Sequence, residues 1–187
     1  MADMGFMPAV RRLLDRTPSH RQTVLFSATL DGDVAKLTRE YQTDPVRYEV
    51  GEATPDVRAA SHRFWKVDRN DRNDLLAEVV KAAWPTIIFC RTRHGADRLA
   101  KQLGRLDVVS VPIHGGLSQS QRNRSLDAFS TGRAHALIAT DVAARGIHVD
   151  GVASVVHYDP PEDHKAYIHR SGRTARAGAN GLVVSLV

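Results

Sequence analysis

From about Ser61 onward, short apolar runs alternate with stretches in which apolar residues recur every three or four positions. The runs Arg63–Val67, Thr86–Cys90, Val108–Pro112, Ala136–Thr140, Ala153–Tyr158 and Gly181–Val187 read as strands. Between several of them, Asp71–Ala83, His94–Leu103, Ser118–Ser130 and Asp163–Ala175 carry a helical rhythm. Strands alternating with amphipathic helices predict crossover units, and hence an α/β fold with a doubly wound, mostly parallel sheet. In such sheets ligands bind outside the carboxyl ends of the strands. The loops after the strands are where chemistry is to be sought.

The first fifty residues follow a less regular pattern. Pro8–Leu14 reads as a helix and Gln22–Thr29 holds an apolar run rich in strand formers. Asp31 or Asp33 is placed to cap a helix over Val34–Tyr41, and Val46–Val50 reads as one more short strand. Gly51–Asp56 is polar, with glycine and proline, and reads as a linker. The division expected is a segment 1–50, a linker 51–61 and a main domain 62–187. Fifty residues are few for an independent core. A strand at Thr23–Phe26 without neighbours leaves an edge that invites self-association.

Composition narrows the class. Hydrophobic residues make up 42% and charged residues 25% of the 187, as in a globular protein with a core. No apolar run approaches a bilayer-spanning length, and Met1–Phe6 lacks the basic start and apolar stretch of a secretory signal. The one cysteine, Cys90, sits in an apolar run and reads as a buried strand residue. These features lead us to expect a cytoplasmic protein. The net charge of +5 favours polyanionic partners. With only 6% aromatic residues, grip on a sugar-phosphate backbone fits better than base stacking.

Three stretches carry candidate chemistry. His169-Arg-Ser-Gly-Arg-Thr-Ala-Arg176 sets three arginines at three-residue spacing, which on a helix forms a guanidinium fork suited to phosphates or simply a solvated basic face. Ala136–Gly146 runs an apolar strand into Thr140-Asp141 and a helical turn, a place for a phosphate or for a plain cap. His114-Gly-Gly follows a strand and lets a backbone approach a ligand, or merely makes a tight turn.

In this order the stretches resemble the DEAD-box RNA helicases of helicase superfamily 2. Ser27-Ala-Thr29 is similar to the family's SAT motif, Ile87–Arg93 to motif IV, and His114-Gly-Gly with Gln119-Ser-Gln-Arg122 to the next RNA-facing motif. Ala139–Gly146 resembles motif V and His169–Arg176 motif VI, while Asp3–Phe6 resembles the stretch after the Asp-Glu-Ala-Asp box. The resemblance covers nearly the whole chain. It implies a RecA-like helicase C-terminal domain at 62–187, preceded at 1–50 by the end of a first, ATP-binding RecA-like domain.

By that resemblance Arg173 and Arg176 are arginine fingers for the γ-phosphate of ATP, and His169 and Arg170 link the ATP site to the domain interface. Thr140, Gly115 and Gln119 touch the RNA backbone, with Arg93 and Arg122 as further contacts, and Ser27 and Thr29 couple hydrolysis to domain closure. Contacts to phosphate and ribose imply sequence-independent binding of single-stranded or duplex RNA. Two positions depart from the family pattern. His148 stands where an aspartate often contacts the ATP ribose, so the contact is lost or passes to His148 or Asp150. Ala175 stands where motif VI often has glycine.

The chain has no Gly-x-x-x-x-Gly-Lys-Ser/Thr loop and no Asp-Glu-Ala-Asp box. ATP and Mg²⁺ are therefore expected in a full-length parent that supplies the missing RecA-like domain, with nothing tightly bound here and no metal ligands. Two readings follow: part of an ATP-dependent RNA helicase, or a stand-alone RNA-binding or regulatory module without ATPase activity. A DNA helicase of the same superfamily is a minor third.

Overall fold

The structure, a computed structural model, describes residues 7–27, 32–48, 59–144, 146–147, 149–176 and 179–187. The chain divides into two units, Met1–Ala53 and Thr54–Val187. In the second, six strands form one sheet: β1 (Ala60–Trp65), β2 (Thr86–Phe89), β3 (Ser110–Ile113), β4 (Ala136–Ala139), β5 (Ser154–His157) and β6 (Gly181–Leu186). Their order is β1-β6-β5-β2-β4-β3, and every neighbouring pair is parallel. Burial explains the order. Every residue of β2, β4 and β5 is buried, as strands covered on both faces must be, whereas β1 and β3 show exposed or half-buried positions and take the edges.

The helices are α3 (Arg72–Ala82), α4 (Arg93–Gly104), α5 (Gln119–Ser130), α6 (Asp141–Ala144) and α7 (His164–Ser171). The steps β1 to β2 and β2 to β3 move one way along the sheet, and the later steps move back. Right-handed crossovers then place α3 and α4 on one face and α5 to α7 on the other. The two core clusters agree: Ile88 and Cys90 pack with Leu76, Val80, Leu99 and Leu103, while Ile87 and Phe89 pack with Phe129, Ala143 and Ala144. Strand β2 leads to α4 on one face, but its neighbours β4 and β5 lead to α6 and α7 on the other. That reversal opens a crevice at the carboxyl end of β2.

The first unit holds α1 (Met7–Asp15) and α2 (Gly32–Tyr41), tied by Arg11 to Glu40 at 2.9 Å and by the Tyr41 hydroxyl donating to Asp15 at 2.6 Å. The strand expected at Thr23–Phe26 does not form, because among the described residues no strand lies beside it to close a ladder. Residues 46–48 are likewise not a strand, and the rest of that expected element, with most of the linker, lies outside the described residues. Val24, Phe26, Val46 and Tyr48 are exposed, Phe26 at 93%. No helix among the described residues is long and apolar enough to cross a membrane.

The helix expected over Asp163–Ala175 stops at Ser171. Asp163 caps its start by accepting the Ala166 amide, and beyond Gly172 tighter three-residue bonds carry Arg173 and Thr174 out of helical register. Ala175 then adopts a φ of 53°, the left-handed region. A side chain there costs about 1–2 kcal/mol, while glycine in its place loses about 0.5–1 kcal/mol of chain entropy. Ala175→Gly is therefore expected to stabilise the fold by about 0.5–1 kcal/mol, read as a higher midpoint in urea. A lower midpoint would mean that the turn is not strained.

Candidate functional site

Three strand ends lie side by side. The Cys90 amide donates to Ala139 O at 2.9 Å and the Thr140 amide to Ile113 O at 3.3 Å, so the loops after β2, β4 and β3 form one edge. Thr92 caps α4 by accepting the Gly95 amide, and this sets Arg93 exposed at the first turn. A Cβ on Gly116 would lie 3.5 Å from Arg93 Cδ, so the arginine stem runs across the glycine pair. Gly115 is exposed, and a Cβ there would meet nothing within 4 Å; packing alone does not require it.

His114 is buried. Its Nδ1 accepts the Gly116 amide at 3.2 Å, which puts the proton on Nε2, where it donates to Asp97 at 3.0 Å. This pair fixes the glycine turn against α4. Ser118 and Gln121 form a reciprocal capping box at the start of α5. Gln119 is thereby left exposed, its amide donating to Asn123 at 2.8 Å. Arg122 is half-buried and turns to Ala143 O at 3.5 Å. Thr140 is a cap through its backbone, its carbonyl accepting Ala143 and Ala144.

Behind this edge lies Arg170, only 2% exposed. Its Nε and Nη2 donate to the two Asp141 carboxylate oxygens at 2.6 Å each, and Nη1 donates to Asp159 O at 2.8 Å. The guanidinium sits 5.1 Å from the centre of the Phe89 ring, and Asp159 accepts the Arg91 amide at 2.8 Å. One arginine thus joins the loops after β2, β4 and β5 to α7.

Arg173 points elsewhere. It is half-buried, its Nη1 donating to Ile147 O at 2.7 Å, while its buried Nε has no partner. Burial, and then the neighbouring Arg176 charge, hold its pKa below the ordinary value. Arg176 is half-buried and its Nε donates to Gly172 O at 2.8 Å. The three arginines therefore do not form the continuous helical stripe that their spacing predicts. Arg170 is an internal clamp, and the other two stand on the turn after α7, by the 147–152 loop. Asp150 is exposed on that loop, while His148 lies outside the described residues. His169 is exposed in the last turn of α7. Ser27 is exposed in the first unit, and Thr29 is outside the described residues.

Two buried titratable groups frame the crevice. Cys90 is pushed up to about 12, chiefly by burial and then by Asp159, so its thiol is inert at neutral pH. His157 is fully buried between the Phe89 and Tyr167 rings, its Nδ1 unpartnered and Nε2 3.5 Å from the Ser171 hydroxyl. Burial first, and the Arg170 charge second, lower its pKa to about 3. A histidine lowered on folding adds stability that is full above the unfolded value near 6.5 and is lost as pH falls toward 3. Between pH 7.5 and 5 the stability advantage of the wild type over His157→Asn should shrink by about 2 kcal/mol. A gap that stays constant in urea titrations at the two pH values would refute the buried neutral imidazole.

Sequence reasoning missed Asp97, Asp141 and Asp159 as partners of these residues. Asp141 had a signal, its place beside Thr140 at a strand end; Asp97 and Asp159 had none.

Comparison with known proteins shows the family of the chain. The family described as Helicase conserved C-terminal domain matches residues 71–178. The chain is 39% identical over 189 residues to the ATP-dependent RNA helicase DbpA of Bacillus subtilis, covering all of this chain and 40% of that protein. It is 41% identical to the ATP-dependent rRNA helicase rrp3 of Schizosaccharomyces pombe, covering all of this chain and 41% of that protein. Saccharomyces cerevisiae Dbp5, solved bound to RNA and ADP BeF3, superposes with a TM-score of 0.82 at 31% identity, over 98% of this chain and 49% of that one. The chain spans about two fifths of the length of the curated relatives it matches.

Proposed function

Because the chain belongs to the DEAD-box ATP-dependent RNA helicases and carries their C-terminal RecA-like domain, we propose that it is the half of a two-domain motor that holds RNA and supplies arginine fingers to ATP. Arg93, Gly115, Gln119 and Thr140 meet the RNA backbone along the edge of β2, β4 and β3, with Arg122 behind them. Arg173 and Arg176 meet the γ-phosphate of ATP held by the other RecA-like domain, and Asp150 or His148 the ribose. Bound ATP supplies the phosphoryl group to be transferred; these side chains orient it and offset its charge.

The observation that carries the reading is the state of Arg173. A half-buried guanidinium beside a second one of the same charge is an arrangement that an anion completes. It is joined through α7 to Arg170 and Asp141, next to Thr140, so one short helix links the two ligand sites. Among the described residues no cluster of His, Cys, Asp or Glu has a metal-holding arrangement. Mg²⁺ in this reading is held by the other domain.

The first unit reads as the end of that other domain, with Ser27 and Thr29 coupling hydrolysis to closure. Its exposed Val24 and Phe26 fit a segment that lacks its sheet. The stand-alone reading keeps one point in its favour, the absence of a lysine loop in this sequence. Both readings expect the purified chain to bind RNA. Turnover of ATP by it, with or without RNA, should be undetectable, because two required parts of the phosphoryl-transfer site are not in it. RNA-stimulated hydrolysis by the pure chain in a coupled assay would overturn this. Hydrolysis that appears only when a relative's first RecA-like domain is added would select the motor over the stand-alone module.

A further inference from the structure

The outward ridge of α4 is basic along its whole length. At about 100° per residue, His94, Arg98, Lys101 and Arg105 fall within about 60° of one another, opposite the buried Ala96, Leu99 and Leu103. All four are exposed, and exposed Arg91 and Arg93 stand just before the ridge, by the carboxyl end of β2. Among the described residues none of the six forms an ion pair. The one acid in the helix, Asp97, is engaged by His114.

A solvated helix face is ordinarily mixed in sign, and α3 is an example. It has Asp74 in its first turn and a Glu78–Lys81 pair at 3.4 Å. Helix α4 has no acid in its first turn and begins with Arg93, against its own dipole. Its like charges stand three and four residues apart, a spacing that destabilises an isolated helix. The ridge therefore sits at an electrostatic cost that phosphates lying along it would remove.

We infer that α4 is a second track for RNA, taking a strand that leaves the carboxyl-edge loops at Arg93 and setting its phosphates against Arg98, Lys101 and Arg105. This rests on the RNA-binding reading above. The ridge from His94 to Arg105 is about 16 Å long, enough for about five stacked nucleotides. It presents no large apolar side chain, whereas a stable protein interface needs an apolar centre. A nucleic-acid backbone needs only the charges.

The test uses the whole chain and single-stranded RNAs of about six and about twelve nucleotides, the shorter sized to the three adjacent strand ends and the longer to those ends plus the ridge. Anisotropy titrations across a salt series compare the wild type with the triple variant Arg98→Gln, Lys101→Gln, Arg105→Gln. A control of equal charge change, Arg63→Gln, Lys66→Gln, Arg69→Gln, lies off the ridge. The residues exchanged on α4 are exposed, so circular dichroism should be unchanged. The ridge variant should bind the longer RNA about tenfold more weakly, with a salt slope shallower by about 2, and bind the shorter one as the wild type does. The control should resemble the wild type on both. Wild-type binding of both RNAs with no loss in the ridge variant would overturn the track alone. So would an equal loss on both lengths, or an equal loss in the control. Failure of the wild type to bind either RNA would overturn the RNA reading itself and the track with it. Ridge-dependent binding of polyglutamate as tight as RNA would overturn the track in favour of an acidic protein partner.

Discussion

Arg170→Ala is expected to destabilise the second unit by about 3–5 kcal/mol. The side chain is 2% exposed and donates three hydrogen bonds, two of them to one carboxylate. Removing it leaves Asp141 without its counter-charge and the Asp159 carbonyl without its donor. It also leaves a void under the Phe89 ring. The cost of an unpaired partner exceeds the net worth of the intact pair, because an ion taken partly out of water must be compensated. Arg170→Lys should recover only part of the loss, since an ammonium cannot span both carboxylate oxygens from one planar fork. Asp141 is 35% exposed at its side chain, so Asp141→Ala should cost less than Arg170→Ala. Urea unfolding of the four proteins, with the double variant closing a mutant cycle, measures each term. A loss under about 1 kcal/mol for Arg170→Ala would show that the clamp is not structural.

That result bears on what the sequence can and cannot reveal. The alternation of apolar runs and helical stretches located every strand of the parallel sheet to within three residues at its start and two at its end. The fold class followed because a fully buried strand is mostly apolar, and a crossover needs a helix. The order of strands was not legible, since it depends on which runs end up covered on both faces. Motif residues were found by their types and spacing, but not their partners. Arg170, Arg173 and Arg176 look equivalent at three-residue intervals, and only the end of α7 at Ser171 separates them into one internal clamp and two outward groups. Gly172 gave a hint of that end. Residue types alone did not show that Ala175 would take the left-handed turn, and the Asp159 contact joins residues far apart in sequence.

The second large effect belongs to the two outward arginines. In a full-length helicase carrying this chain, Arg173→Ala or Arg176→Ala should lower ATP turnover by about 10³-fold or more. Charge spreads over the transferring phosphoryl group in the transition state, and a guanidinium fixed before the reaction offsets it without reorganising. Arg173 is fixed in this sense by its 2.7 Å bond to Ile147 O and by half-burial. Its Nε is buried without a partner, so the Nη groups are the ones left to face a ligand. The stability change should be small, within about 1.5 kcal/mol, because the one bond lost is offset by relief of the repulsion from Arg176. Arg170→Ala should show the reverse signature, a large loss of stability with activity falling as the fold does. The loss in the finger variants should lie in kcat, with KM for ATP little changed, as for an interaction made in the transition state. Lysine at position 173 should not restore turnover, since a point charge does not reproduce the fork. Wild-type turnover in both alanine variants would mean that the two arginines form a solvated basic surface and that the fingers come from elsewhere.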